Sequence, residues 1–558
     1  MEDATTINPA IVFEADGYRV DGPRLMGRQA AGNGFLRAAV AARSGQPVVG
    51  YTPHKKSADM FVRTVADIDP SAAAQWLPPG RPDALRKLGH LYMPGPDIGG
   101  LARERLRAGP SAWSITGVTH TTASHGAMDA IADLAVAPVM PWDALVSTSR
   151  AAAATVRVIL DSQREYLQWR FGSGISTTLP QLPVIPLGVH CADFVFSSED
   201  RRLARQALAI AEDEVIALFV GRLSFHAKAH PHAMYGALEE AARRTGRKLV
   251  LVQCGWFASK AIEQAFRAGA AAACPHVRCI FTDGRLDLSR RNSWAAADLF
   301  ISLSDNIQET FGLSPVEAMA AGLPVIVSDW DGYKDTVRDG VDGFRIPTWM
   351  PPPGTGGALA QAHECGLDTY DMYCGLACQH VALDHRVLVE RLAALAADAA
   401  LRSKLGQAGR ERARALFDWD VVYRGYQGLW RELDRLRPVH SSAEGAAQPP
   451  AVSPSRLDPF LAFGHYPTRA IRLDTMVAPR TGASVASYKA LAGHPLYNYA
   501  ARILPTAEAV ERAMVPLGKG PISVADLALA MGLHEGAALR TVAILAKMGW
   551  LELAVKAS

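Results

Sequence analysis

The sequence predicts an α/β protein built from two doubly wound, Rossmann-like units in tandem, followed by a mainly α C-terminal region. Three observations carry this. Short apolar runs alternate with helix-length stretches from residue 8 onward, the pattern of parallel sheets covered by helices on both faces. The alternation ends near residue 195 and restarts as a second series. A Ser-, Ala- and Pro-rich stretch, SSAEGAAQPPAVSPS at 441–455, then separates a last segment of different character.

Taken in order, the first series offers strands at Ala10–Glu14, Pro47–Tyr51, Ser114–Val118, Ala144–Ser147 and Val184–Leu187, within a unit spanning 1–195. Between the first two, MGRQAAGNGFLRAA (26–39) reads as a loop that enters a helix near Phe35. Gly32 and Gly34 would let backbone approach a phosphate there, with Arg28 as a further contact. The stretch is not a G-x-G-x-x-G fingerprint. SITGVTHTTASH places His120 just past a strand end.

The second series, 196–416, offers strands at Val215–Val220, Lys248–Gln253, Val277–Phe281, Leu299–Leu303 and Pro324–Ser328. Leu388–Leu436 reads as helical, and FDWDVVYRGYQGLWREL opens a last helix over 417–440. After the 441–455 linker, GPISVADLALAMGLHEGAALRTVAILAKMGWLEL within 456–558 has the rhythm of a winged helix. Its helices are expected at Val524–Met531 and Glu535–Met548, with a strand entered at Gly549 and Trp550. A DNA reader loads the second helix with bases. Here Arg540 and Lys547 stand against Glu535, and five Lys/Arg (512, 519, 540, 547, 556) balance five Asp/Glu (508, 511, 526, 535, 552) from Leu504 onward. A packing, oligomerisation or acceptor-contacting role is the expectation, and nucleic acid is not an expected partner.

Composition narrows the class. At 558 residues, 49% hydrophobic, 20% charged and net charge +3, the chain has no global field that argues for nucleic acid or an anionic membrane. No run of 18 apolar residues is present, and MEDATTINPA lacks a basic-then-apolar leader, so the expected compartment is the cytoplasm. Seven scattered cysteines do not form a disulfide framework.

The chemistry concentrates in IQETFGLSPVEAMAAGLPVIV (307–327). Glu309 and Glu317 stand eight positions apart, flanking Gly312, Leu313 and a short helix opened by Ser314 and Pro315. A helix N-terminus presents free N–H groups and a positive dipole end, which suits phosphate. Two carboxylates beside it would accept hydroxyls, so the combination fits a nucleotide sugar. Ser314 and Glu317 also make an S-x-x-E capping box, which accounts for Glu317 equally well. Glu309 precedes the helix and has no such role. Nearly ninety residues earlier, Val215–Val220 runs into GRLSFHAKAHP, placing Arg222 and Lys228 at the carboxyl end of a parallel strand, where open α/β sheets bind ligands. Two fixed cations there would neutralise charge on a leaving phosphate.

The run ETFGLSPVEAMAAGLPV resembles the E-x7-E signature of family 4 retaining glycosyltransferases, which have the GT-B fold. GRLSFHAK resembles the same family's G-R-L-x5-K. The resemblance implies a metal-independent transfer with retention, from a UDP-, GDP- or ADP-sugar to a glycan, lipid-linked or small-molecule acceptor, without a cofactor. It gives Glu309 the donor sugar, Glu317 the ribose, the Gly312–Leu313 backbone the diphosphate, and Phe311 a place beside the sugar. Arg222 and Lys228 hold the diphosphate, and His120 faces the transferred sugar. The glycine-bearing 26–39 stretch lies near the phosphates, VIPLGVHCADF joins the two domains, and the 417–440 helix crosses back onto the first. A peripheral membrane contact and a homo-oligomer are compatible with this reading. The rivals are another GT-B nucleotide-sugar enzyme, epimerase or phosphorylase-like, and a non-catalytic sugar-nucleotide sensor with a DNA-binding tail.

Several metal-like patterns are weaker. Asp67-Ile68-Asp69 and Asp329-Trp330-Asp331 fit D-x-D, a common accident. His226, His230 and His232 lack an acidic or thiolate partner nearby. The segment 363–385, with His363, Cys365, Cys374, Cys378 and His380, lacks paired C-x2-C spacing, so no metal is expected.

Overall fold

In the computed structural model the described residues are 7–19, 27–441, 453 and 456–554. They form two compact units, divided between Ser453 and Pro454.

The first unit contains two six-stranded sheets. The strands of the first are β1 (Ala10–Val12), β2 (Val48–Tyr51), β3 (Ala74–Leu77), β4 (His90–Met93), β5 (Ser114–Val118) and β6 (Ala144–Val146), in the order β3-β2-β1-β4-β5-β6. The second holds β7 (Val215–Val220), β8 (Leu249–Gly255), β9 (Arg278–Asp283), β10 (Leu299–Ser302), β11 (Val325–Ser328) and β12 (Gly343–Ile346), in the order β12-β11-β10-β7-β8-β9. All ten ladders are parallel. Read from its far edge, the second sheet repeats the first sheet's winding, so each reverses direction once, at β1/β4 and at β7/β10. Ligands of open α/β sheets sit outside the carboxyl ends of the strands at such reversals.

This is the GT-B architecture expected from the sequence. Three strands escaped the sequence reading: β3, β4 and β12. Each has only four residues, and β3 and β12 are sheet edges where alternation is weak. Conversely, Val184–Leu187 is no strand. It makes a single bridge, Ser147 to Val184, and Pro183 and Pro186 remove the N–H groups that a ladder needs.

Each sheet is buried on both faces, which is why its strands read as apolar runs. Ile216, Leu218, Phe300 and Val327 pack on one face of the second sheet, and Leu251, Ile301 and Ile326 on the other. The first sheet carries Ile11, Val118 and Val146 on one side and Leu91, Ile115 and Leu145 on the other. Its first helix, α1 (Gly27–Ala41), is followed later by α2 (Arg150–Phe171), capped by Ser149. After the second sheet, four helices (Gly357–Glu364, Tyr370–Cys378, His385–Ala397 and Ala399–Arg412) lead to the long helix Trp419–Ser441, whose Trp419, Tyr423, Tyr426, Trp430 and Leu433 join the core of the first sheet. Trp430 Nε1 donates to Thr116 Oγ1 at 3.2 Å. Trp419 fits because two glycines face it: a Cβ on Gly34 would lie 2.2 Å from its indole nitrogen, and one on Gly188 2.5 Å from the ring.

The glycines of α1 correct the sequence reading. Gly32 and Gly34 are inside the helix, which begins at Gly27 rather than near Phe35. A Cβ on Gly32 would lie 2.0 Å from the Gly17 carbonyl oxygen. At both positions the space a side chain would need is taken up by protein.

The second unit has its own core of Val477, Val510, Leu527, Val542, Leu545 and Trp550. Among its helices, Ala507–Leu517, Val524–Met531 and Glu535–Lys547 accompany three short antiparallel strands, Met476–Pro479, Ile522–Ser523 and Leu551–Ala554. The last two helices meet at 103° around Gly532, which has φ 68°. The 441–455 linker lies outside the described residues apart from Ser441 and Ser453. Among the described residues no single helix is long and apolar enough to cross a membrane.

Candidate functional site

The reversal at β7/β10 brings together the residues that the sequence keeps eighty positions apart. β7 runs out through Gly221, with φ 153°, into the Arg222–Lys228 loop, and β10 runs out through Ser304 to Glu309. The Lys228 ammonium pairs with Glu309 Oε2. Burial works against the Lys228 charge, but the neighbouring carboxylate more than offsets it and raises the pKa. Burial likewise opposes ionisation of Glu309. Lys228 and the N–H groups of Phe311 and Thr310 outweigh it, so the carboxylate is held below its ordinary range. Arg222 donates to the Ala227 carbonyl at 2.6 Å, which folds the loop beneath the pair.

The helix after Glu309, α3 (Leu313–Ala321), corrects the capping-box expectation. Its N-cap is Gly312, with φ 91° and no side-chain cap, so Glu317 is not reaching back to a helix end. Glu317 is half-buried, and burial lifts its carboxyl to about 7 despite the positive charges of Arg290 and Lys228. The helix has nine residues and its first N–H groups are not capped by a side chain. Gly312 itself is required twice over: its φ is left-handed, and a Cβ would fall 2.1 Å from the Tyr333 ring.

Phe311 is not beside an open site. It is 1% exposed and packs edge-on to Phe417 at 5.9 Å in the core of the second sheet, so only its backbone faces Glu309. The aromatic ring that does line the loop is Tyr333, which hydrogen-bonds Ser302 at 2.9 Å.

From the first sheet, His120 meets this loop. The Thr310 hydroxyl donates to the His120 carbonyl at 3.2 Å, and Thr148 Oγ1 donates to the Thr310 carbonyl at 3.2 Å. His120 Nε2 is buried without a hydrogen-bond partner among the described residues. Burial, then the nearby Arg28 charge, lower its pKa to about 4, so at neutral pH it is an uncharged imidazole. Arg28 is on the first turn of α1, half-exposed and paired with Asp16 at 2.8 Å.

Sequence reasoning missed four side chains. Asp305 is buried, its Oδ1 has no hydrogen-bond partner among the described residues, and burial raises its pKa to about 7. Gln308 accepts from Tyr370 at 3.4 Å, and Tyr370 also meets Thr121 at 3.1 Å, linking the two sheets' loops. Tyr333 and Asp331 follow β11. Asp331 was visible only inside a D-x-D pattern set aside as accidental. The others carried no sequence signal, because only the strand order brings them here.

The 363–385 segment is a bridge. The His363 ring stacks on His125 at 3.7 Å and on Tyr373 at 4.1 Å, while the His363 carbonyl meets His125 Nε2 at 2.8 Å. Cys374 and Cys378 are buried and Cys365 is exposed. Among the described residues no group of three or more His, Cys, Asp or Glu is placed to hold a metal ion.

Residues 200–349 match the family model described as glycosyl transferases group 1. The match contains Arg222, Lys228, Glu309, Glu317 and Asp331, and leaves out His120 and Arg28. Among curated proteins, the chain is 29% identical over 281 residues to a D-inositol 3-phosphate glycosyltransferase of Geodermatophilus obscurus, covering 48% of this chain and 56% of that protein. It is 30% identical over 162 residues to a phosphatidyl-myo-inositol mannosyltransferase of Mycobacterium leprae, covering 29% of this chain and 33% of the relative. The chain thus spans about half or less of the length of these relatives. Of solved structures, a Rickettsia africae glycosyltransferase is 13% identical, with a TM-score of 0.49 over 77% of this chain and 99% of its own.

Proposed function

We propose that this chain is a retaining, metal-independent glycosyltransferase that moves a sugar from a nucleoside-diphosphate-sugar to an acceptor hydroxyl. The observation that carries the reading is the Lys228–Glu309 pair beside Arg222 at the β7/β10 reversal, inside the segment that matches the glycosyl transferases group 1 family. Arg222 and Lys228 would take the diphosphate, with the uncapped start of α3 supplying further N–H donors. Lys228 would then exchange part of its bond to Glu309 for phosphate oxygen, freeing Glu309 to orient the sugar hydroxyls. Glu317 would hold the ribose, and neutral His120 would line the acceptor side.

In the reaction, the bond between the anomeric carbon and the diphosphate oxygen breaks. The acceptor oxygen bonds to the same face of that carbon, and its proton passes to the departing diphosphate. Fixed cations aimed at the charge growing on the leaving group lower the barrier without reorganising. The acceptor class is a glycan, lipid-linked or small-molecule hydroxyl.

The test is a thermal-shift panel of UDP-, GDP- and ADP-sugars on the wild type, Glu309→Ala and Arg222→Ala. One nucleotide sugar is expected to stabilise the wild type and to lose that effect in both variants. Product NMR is then expected to show retained anomeric configuration, unchanged by EDTA. The absence of any stabilising nucleotide sugar would remove the basis of the reading.

A further inference from the structure

We propose that Asp331 reads the transferred sugar: its carboxyl hydrogen-bonds a sugar hydroxyl opposite Glu309 and so helps to set which donor the site accepts. This deepens the proposed glycosyl transfer and rests on it.

Asp331 sits in the loop after β11, the strand paired with β10, so it emerges next to the loop that carries Glu309. Its backbone has φ 43°, in the left-handed region, where Asp is one of the few residue types besides Gly and Asn that is found. The neighbouring Gly332 is pressed onto the Glu309 loop, where a Cβ would lie 2.4 Å from the Phe311 Cα and 2.6 Å from the Thr310 carbonyl oxygen. Backbone contact therefore fixes the carboxyl close to Glu309.

The groups around that carboxyl do not explain it as a structural tie. The Ser149 hydroxyl donates to it at only 3.5 Å, at the limit of a hydrogen bond, while its oxygen accepts the Ala152 N–H at 3.0 Å as the cap of α2. The Gly332 amide also faces it. The other charged groups beside it are the carboxylates of Glu309 and Asp335, and Asp335 is itself taken up by Arg150. A half-buried acid beside like charges, on a strained backbone, is an arrangement that packing alone disfavours. Strain of this kind collects at ligand sites. Burial and the Glu309 charge lift the Asp331 carboxyl to about 8, leaving it able both to donate and to accept a hydrogen bond at neutral pH. A hydroxyl group matches both capacities. Glu309, ionised through Lys228, would accept from the sugar on the other side.

The test titrates the full-length wild type, Asp331→Asn, Asp331→Gly and Ser149→Ala with UDP-glucose, UDP-N-acetylglucosamine and GDP-mannose by calorimetry, each beside free UDP or GDP. For the nucleotide sugar that binds the wild type, Asp331→Gly is expected to lose about tenfold in affinity and Asp331→Asn less, since its amide still donates and accepts, with free diphosphate unchanged to within about twofold in both. Asp331→Gly is expected to do so while raising the Tm, because glycine adopts the positive φ freely and removes a carboxyl that burial disfavours. Sugar nucleotide bound equally well by both Asp331 variants would overturn the inference. So would an equal loss for free diphosphate, or a loss reproduced by Ser149→Ala, which would mark a tie between the two sheets. If no nucleotide sugar or diphosphate binds the wild type, the glycosyl-transfer reading falls and takes this inference with it.

Discussion

Glu309 is held by a cation and by loop N–H groups at once, and Glu317 by neither. That difference sets opposite predictions for the two acids. Removing one partner of the half-buried Lys228–Glu309 pair leaves the other charge uncompensated, so Lys228→Met and Glu309→Gln should each destabilise the ligand-free protein by about 1–3 kcal/mol. The double variant should lose less than the sum, by chemical denaturation in a mutant cycle. Glu317 behaves the other way. Its carboxyl is raised from 4.5 to about 7, so between these values the folded chain keeps a proton that the unfolded chain releases. The stability it contributes is full below about pH 4.5 and is lost as the pH rises through 7. Glu317→Gln should flatten the fall of Tm over that window in ligand-free protein; an unchanged slope would refute it. The same substitution should weaken nucleoside diphosphate binding in the titration used for Asp331.

At the scale of elements, two glycines each admit a close aromatic neighbour. Gly312→Ala places a methyl on a left-handed residue against Tyr333 and should cost about 1–3 kcal/mol. It should also remove nucleotide-sugar stabilisation, since the start of α3 and the Glu309 loop move together. Gly34→Ala drives a methyl into Trp419 and should cost a similar 1–3 kcal/mol, yet leave nucleotide affinity nearly unchanged, because at this position α1 faces Trp419. Equal loss of binding in Gly34→Ala would restore the phosphate role that the sequence suggests. The sequence could not separate these cases. A glycine needed for a ligand and one needed for a tryptophan four hundred residues away look alike in a linear chain. The same limit applies to Phe311, whose neighbours in the motif face the cleft while its ring joins the core.

For the whole molecule, the long helix Trp419–Ser441 returns to the first sheet and ties two Rossmann-like domains into one compact unit. The unit from Pro454 has a separate apolar core, so residues 454–558 expressed alone should unfold cooperatively in urea. From Leu504 onward its charges balance, and the helix Glu535–Lys547 carries only Arg540 and Lys547 as bases, which predicts no tight, salt-sensitive, sequence-selective shift of duplex DNA in a gel. Such a shift would favour the sensor reading.

The sequence by itself determined the two parallel α/β series, the crossover helix, the helical tail and the four charged side chains Arg222, Lys228, Glu309 and Glu317. Period, strand-end position and motif spacing are local properties that survive in a linear chain. Only the tertiary structure decided that Lys228 pairs with Glu309, that Glu317 is no helix cap, that Gly32 and Gly34 lie inside α1 against Gly17 and Trp419, that the Phe311 ring joins the core, and that Asp331 lies beside Glu309. Each of those depends on which strands become neighbours at the sheet's reversal, and that choice is made by packing across the whole core.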